Sequence, residues 1–224
     1  MKRSLGALVS FTLAAALLGA MSAPKPGPSL SPKPVHSELA FISHIQQTLS
    51  RKYPTPAAAE AAGYFRYTNE DNTGAISYAN LHWTSADWNH PSQLWYDVHG
   101  NLLGADFSEP YVAGKPPHLW GVLPGRWQYF EEHVHYVLVG AHGVTGFEHG
   151  MSAAAFVKAG GSLAHPQAST LVKMGRVHSA SQVAHIFTFP AVWDLIVWVK
   201  PNPNGAFADK NPLVHPTVSA SHSM

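Results

Sequence analysis

The chain has no cysteine. That absence removes disulfides, thiolate zinc sites, iron–sulfur ligation, a lipid-modified cysteine anchor and a cysteine nucleophile. Any transition-metal site must draw its side-chain ligands from imidazole and carboxylate. Charge is scarce too: Asp, Glu, Lys and Arg make up 12% of residues, against a usual ~25%. Fourteen Lys and Arg nearly balance thirteen Asp and Glu, for a formal net charge of +1, which leaves no electrostatic footprint for nucleic acid or an anionic membrane. The chain also lacks a Gly-x-Ser-x-Gly elbow, a phosphate loop, a dinucleotide fingerprint and a His-Glu-x-x-His zinc motif.

What is present is apolar and aromatic. Of 224 residues, 46% are apolar and 11% aromatic, enough for one domain to bury a sizeable core. Fifteen histidines stand in for part of the missing charge. If many titrate normally, net charge climbs steeply between roughly pH 7 and 5.5.

Met1-Lys2-Arg3 followed by an Ala/Leu-rich run from Leu5 to Leu18 reads as a secretory signal peptide over residues 1–22, with Ala20 and Ser22 as the small residues at the cleavage site. The expected location is therefore exported, periplasmic or extracellular, with no membrane span in the mature chain. Residues 23–36 carry a proline-rich stretch, Pro24 to Pro34, that reads as an extended linker. Residues 37–218 follow as a single domain, and 219–224 as a disordered tail.

Two N-terminal helices open the domain. Ser37 is a fitting cap for a helix to about Lys52, with Leu39, Ile42, Ile45 and Leu49 as its apolar stripe. Thr55-Pro56 supplies a cap and a first-turn proline for a short helix closed by Gly63. From there the segments 64–68, 75–83, 93–98, 102–107, 129–139, 183–189 and 192–199 read as strands, rich in aromatic and β-branched residues between Gly, Asn, Asp and Pro punctuation. Asp97 to Leu102 is the clearest hairpin, while 151–159 and 166–173 form a short helical insertion. The fold class is α+β, mainly β: an antiparallel sandwich or partly closed barrel.

The candidate site lies in Glu131-Glu132-His133-Val134-His135-Tyr136-Val137-Leu138-Val139. On a strand, His133 and His135 point to one face with Cα atoms roughly 6.5–7 Å apart, so both rings can lean toward one metal ion. On a helix they diverge. The β-branched content and the bounding Pro124-Gly125 and Gly140 favour the strand, which would put Glu131 on the histidine face. Further ligands must come from elsewhere: His82, His185, or Glu148 and His149 in a glycine-rich loop. Imidazole with carboxylate suits Cu or Zn. Glu131 and Asp194 are candidate supporting groups. Asp194 is the sole charge in 192–199 and is either a strand-edge carboxylate in water or a partner for a histidine ring nitrogen.

The function expected from these residues is transition-metal binding or handling, or an uncharacterised metal-dependent activity. A small-molecule or sugar-binding module built on aromatics such as Trp83, Trp88 and Trp95 is the alternative, and an envelope-associated structural protein without a site is a third. The remaining histidines in loops and tails, such as His36, His99 and His215, read as surface.

One resemblance rests on the tail Val197 to Val214, with its Pro201-Asn202-Pro203-Asn204-Gly205-Ala206-Phe207-Ala208 core and Asn211-Pro212, together with Ala58 to Tyr64 and Pro91 to Leu103. These segments resemble a group of secreted bacterial proteins of unknown function. His82 matches a histidine of that group, whereas Trp193 and Ile196 stand where its histidine-rich strand falls. The resemblance implies export and a compact domain, and no activity.

Overall fold

The structure, a computed structural model, describes residues 31–85, 87–140 and 145–217, with the backbone alone for 145–149. The expected signal peptide (1–22) and the expected 219–224 tail lie outside the described residues. Two antiparallel sheets carry the fold. The first has six strands in the order β1-β2-β3-β4-β9-β5: β1 (Phe65–Arg66), β2 (Ile76–Ala79), β3 (Gln93–Tyr96), β4 (Leu102–Pro110), β5 (Gln128–Phe130) and β9 (Val192–Trp198). The second has three in the order β7-β6-β8: β6 (His133–Val139), β7 (Thr145–Ser152) and β8 (Val183–Phe189). Neither closes into a barrel among the described residues, so the mainly β sandwich is the architecture.

Strand alternation gives the large sheet two different faces. Leu94, Tyr96, Ala105, Phe107, Leu195 and Val197 point to one face, where α1 (Leu39–Lys52) lays down Phe41, Ile42, Ile45 and Leu49. Each of these helix side chains is at most 7% exposed, and burying each contributes roughly 1.5–3 kcal/mol. Leu39 differs from the expected stripe: it is 48% exposed, and Phe41 takes the core position. The opposite face carries Gln93, Trp95, Asp106, Ser108, Asp194, Ile196 and Trp198, a set far too polar for an ordinary core.

The helix start also differs from expectation. Ser37 lies inside a short 3-10 turn, and the Glu38 carboxylate accepts from Val35 N at 2.8 Å. Glu38 is fully buried and held by Arg126 through two bonds, Nε to Oε1 at 2.9 Å and Nη2 to Oε2 at 3.0 Å. Arg126 also donates to the carbonyls of Ser31 and Lys33, so the described end of the proline-rich segment is fixed to the domain. The second helix, α2 (Pro56–Ala61), is as read from the sequence: Thr55 caps it and Gly63 ends it at φ +89°.

The small sheet buries Val134, Tyr136 and Met151 on one side, under Phe156 of α3 (Ala153–Lys158) and Leu171 of α4 (Ala168–Lys173). The helical insertion therefore serves as a lid on that sheet alone. Its other face meets the polar face of the large sheet through Phe187, Phe189, Phe65, Tyr67 and Phe130. Among the described residues no helix is long and apolar enough to cross a membrane.

Besides β1 and β2, which are shorter than the expected 64–68 and 75–83, two strand assignments change. The expected strand 129–139 is two strands in different sheets, because β5 pairs with β9 whereas β6 pairs with β7 and β8. The exchange falls at Glu131-Glu132, two like charges that a paired strand would have to seat on its faces. Here Glu131 is exposed and Glu132 half-buried. The expected glycine-rich loop around residue 148 is part of β7, whose pairing with β6 overrides weak β-propensity.

Candidate functional site

Between the two sheets lies a cavity of about 430 Å³. Its floor is the polar face of the large sheet, and β6 and β8 of the small sheet form the facing wall. Two carboxyls occupy the floor, Asp106 on β4 and Asp194 on β9. The strands are neighbours in register, Asp106 opposite Ile196 and Asp194 opposite Ser108, so the carboxyls share one face and are offset along it.

Each carboxyl has one neutral donor. Ser108 Oγ donates to Asp194 Oδ1 at 2.8 Å, and Trp95 Nε1 donates to Asp106 Oδ2 at 3.3 Å. Ser92 Oγ lies 2.7 Å from Ser108 Oγ and 3.1 Å from the Asp106 carbonyl. It can use its proton on either acceptor, leaving the Ser108 proton for Asp194. Asp106 Oδ1 is buried and makes no hydrogen bond among the described residues. Asp106 and Asp194 are 6% and 3% exposed, with no salt-bridge partner among the described residues.

Electrostatics follows from that burial. Loss of solvation pushes the Asp106 carboxyl well up, the Asp194 charge pushes it further, and the Trp95 indole opposes both. Burial likewise pushes Asp194 up to about 7, against the Ser108 hydrogen bond. A pair of carboxyls raised by desolvation at the bottom of a cleft is a functional-site signature with a physical reason behind it.

The walls are aromatic. Trp95 and Trp198 meet edge to face at 5.8 Å, and Tyr67, Phe130 and Phe189 complete the lining. Gly104 makes the Trp95 position possible, since a Cβ there would fall 2.3 Å from Trp95 Cε3. Tyr67 donates its hydroxyl to Gln93 Oε1. Among the described residues four aspartates line the cavity (Asp71, Asp106, Asp194 and Asp209), and no lysine or arginine does. Asp71 at the mouth is tied into its own turn by Thr73 N, Thr73 Oγ1 and Ala75 N.

His133 and His135 form part of the facing wall, with ring centroids 4.5 Å apart. His133 Nδ1 lies 2.6 Å from the Glu131 carbonyl and donates to it, which assigns the proton to Nδ1 and leaves Nε2 as the acceptor in the neutral ring. His133 stacks on Phe189, His135 on Phe187, and Tyr67 meets the His135 ring edge to face.

The other expected ligands do not join this pair. His82 is exposed on a 3-10 turn after β2, which ends at Ala79, short of the expected 83. His185 shares the histidine face but lies beyond Phe187, exposed and against Phe65. The β7 backbone sets Glu148 opposite Val137 and His149 opposite Tyr136, and their side chains lie outside the described residues. Glu131 reaches His133 through its carbonyl, because the strand exchange takes it off the histidine face. Among the described residues, no three His, Asp or Glu side chains are grouped so as to hold a metal ion. Asp194 is no edge charge in water; its partner is a serine hydroxyl.

The aromatics also divide differently. Trp83 stacks on His90 and Trp88 on His44, each at 4.1 Å, and both pack against the α1 core. Only Trp95 of the three reaches the cavity. Asp106, Tyr67 and Gln93 were not singled out from the sequence. Asp106 had the same signal as Asp194, a lone charge inside an apolar strand, Leu102 to Phe107.

No protein-family model, curated protein or solved structure matches the chain.

Proposed function

We propose that the cavity binds a small organic cation with a planar or compact apolar body, of the amine, amidine or guanidine class. The observation that carries this reading is Asp106, a residue of the cavity lining whose buried Oδ1 has no donor among the described residues. A charged N–H group supplies that donor and a counter-charge at once. The aromatic rings of Trp95, Trp198 and Tyr67, which line the cavity, offer cation–π attraction to the same charge and apolar contact to the rest of the ligand. Among the described residues no lysine or arginine of the lining competes for the carboxyls.

This reading belongs to the small-molecule class expected from the aromatics, with the acidic floor setting the sign of the charge. The leader-like composition of residues 1–22 supports an exported setting, where solutes of this kind would reach the site from outside the cytoplasm. Copper or zinc at His133 and His135 is the rival that the paired rings favour.

Trp95 and Trp198 line the cavity, so tryptophan fluorescence reads occupancy directly. The test titrates untagged protein with benzamidine, its neutral isostere benzamide, simple sugars, copper(II) and zinc(II). Saturable quenching by benzamidine and not by benzamide or sugars is expected. Binding of sugars with no preference for charge, or stoichiometric metal binding that benzamidine cannot compete with, overturns the assignment.

A further inference from the structure

We infer that cation binding at this cavity is coupled to proton release: the ligand displaces a proton held by the Asp106–Asp194 pair, so the protein takes up cations near neutral pH and releases them on acidification. This rests on the organic-cation reading. Its basis is geometric. Two carboxyls from adjacent strands face one floor, each with a single neutral donor and neither with a salt-bridge partner among the described residues. Two such groups cannot both ionise in a buried site without a counter-charge. A bound amidinium is that counter-charge, and its arrival requires the proton to leave to solvent.

The other titratable groups that line the cavity are His133 and His135 on β6, Asp71 and Asp209 at the mouth, and Tyr67. The lining residues of β3, β5 and β8 are uncharged: Gln93, Trp95, Phe130 and Phe189. The contribution of the floor is separated from that of these groups by mutation.

Calorimetric titration with benzamidine, which stays charged from pH 5 to 9, provides the test. It is run in two buffers of different ionisation enthalpy, across that range, on the full chain. Release of close to one proton per benzamidine is expected around neutral pH, with affinity falling up to ~tenfold per pH unit below it. Residual benzamidine binding to an Asp106→Asn/Asp194→Asn double variant should release no proton from the floor, and a His133→Gln/His135→Gln double variant should retain the release. Near-ultraviolet circular dichroism establishes that each variant keeps the wild-type packing, and the two-buffer experiment on wild type decides the coupling even if a variant does not fold. Benzamidine binding with no proton exchange overturns the coupling and leaves the cation reading standing. Failure to bind at any of these pH values overturns both. Release that vanishes with the histidines, or persists in the Asp106→Asn/Asp194→Asn variant, overturns the assignment to the carboxyl pair.

Discussion

Ser108 donates its hydroxyl to Asp194 Oδ1 at 2.8 Å, one strand away and buried on the same face of the sheet. A serine is a weak counterpart for a carboxylate, which explains why burial still raises Asp194 to about 7. An acid raised on folding holds its proton more tightly folded than unfolded. Its stabilising effect is complete below the ordinary value of 3.8 and is lost as pH rises through about 7. Asp194→Asn should therefore match wild type near pH 4 and exceed it at pH 8 by on the order of 3 kcal/mol. Urea denaturation at both pH values reads the difference.

Ser108→Ala removes that donor and leaves the ionised carboxyl worse off than the protonated one. Stability should fall by about 1–2 kcal/mol at pH 8 and by less at pH 5. A pH-independent loss would mean that Ser108 acts through packing alone.

Gly104→Ala places a Cβ 2.3 Å from Trp95 Cε3 and 2.8 Å from the Val197 carbonyl. The backbone side cannot yield, so the indole must move and give up its bond to Asp106. The expected outcome is a stability loss of about 1–3 kcal/mol together with a changed tryptophan emission spectrum.

Away from the cavity, Glu38 is fully buried against Arg126. Burial by itself would raise Glu38, but the Arg126 guanidinium and two backbone donors outweigh it and hold the carboxyl below 4.5. Its contribution is present above that value and lost as pH falls through the depressed one. Glu38→Gln should destabilise the protein at pH 7 by ~3–5 kcal/mol, because it strands a buried guanidinium. A Glu38→Gln/Arg126→Met double variant should recover part of that loss.

How much of this was legible in the sequence varies by element. Proline, glycine and β-branched patterning place α2, the Asp97–Leu102 hairpin, β8 and β9 within a residue or two, because those signals are local. The exchange between β5 and β6 was not legible: Tyr129 to Val139 is continuous in propensity, and only tertiary pairing decides that Phe130 and His133 belong to different sheets. β7 was hidden by its glycines for the same reason. At the site, His133 and His135 were found by spacing, and they do share the cavity. Asp194 was noticed as a lone charge, but its depth depends on β9 lying between β4 and β5, which no local pattern states. Asp106 carried an equal signal in Leu102 to Phe107, and its significance came only from having Asp194 on the adjacent strand.

The central claim is that the buried Asp106 carboxyl selects a cation. Its most direct test is the affinity ratio of benzamidine to benzamide at pH 8, by isothermal titration, for wild type and Asp106→Asn. The account predicts a strong preference for benzamidine in wild type that falls at least ~tenfold in the variant, a change of about 1.4 kcal/mol or more. Equal affinity for the two probes in wild type, or a preference that Asp106→Asn leaves intact, would contradict it.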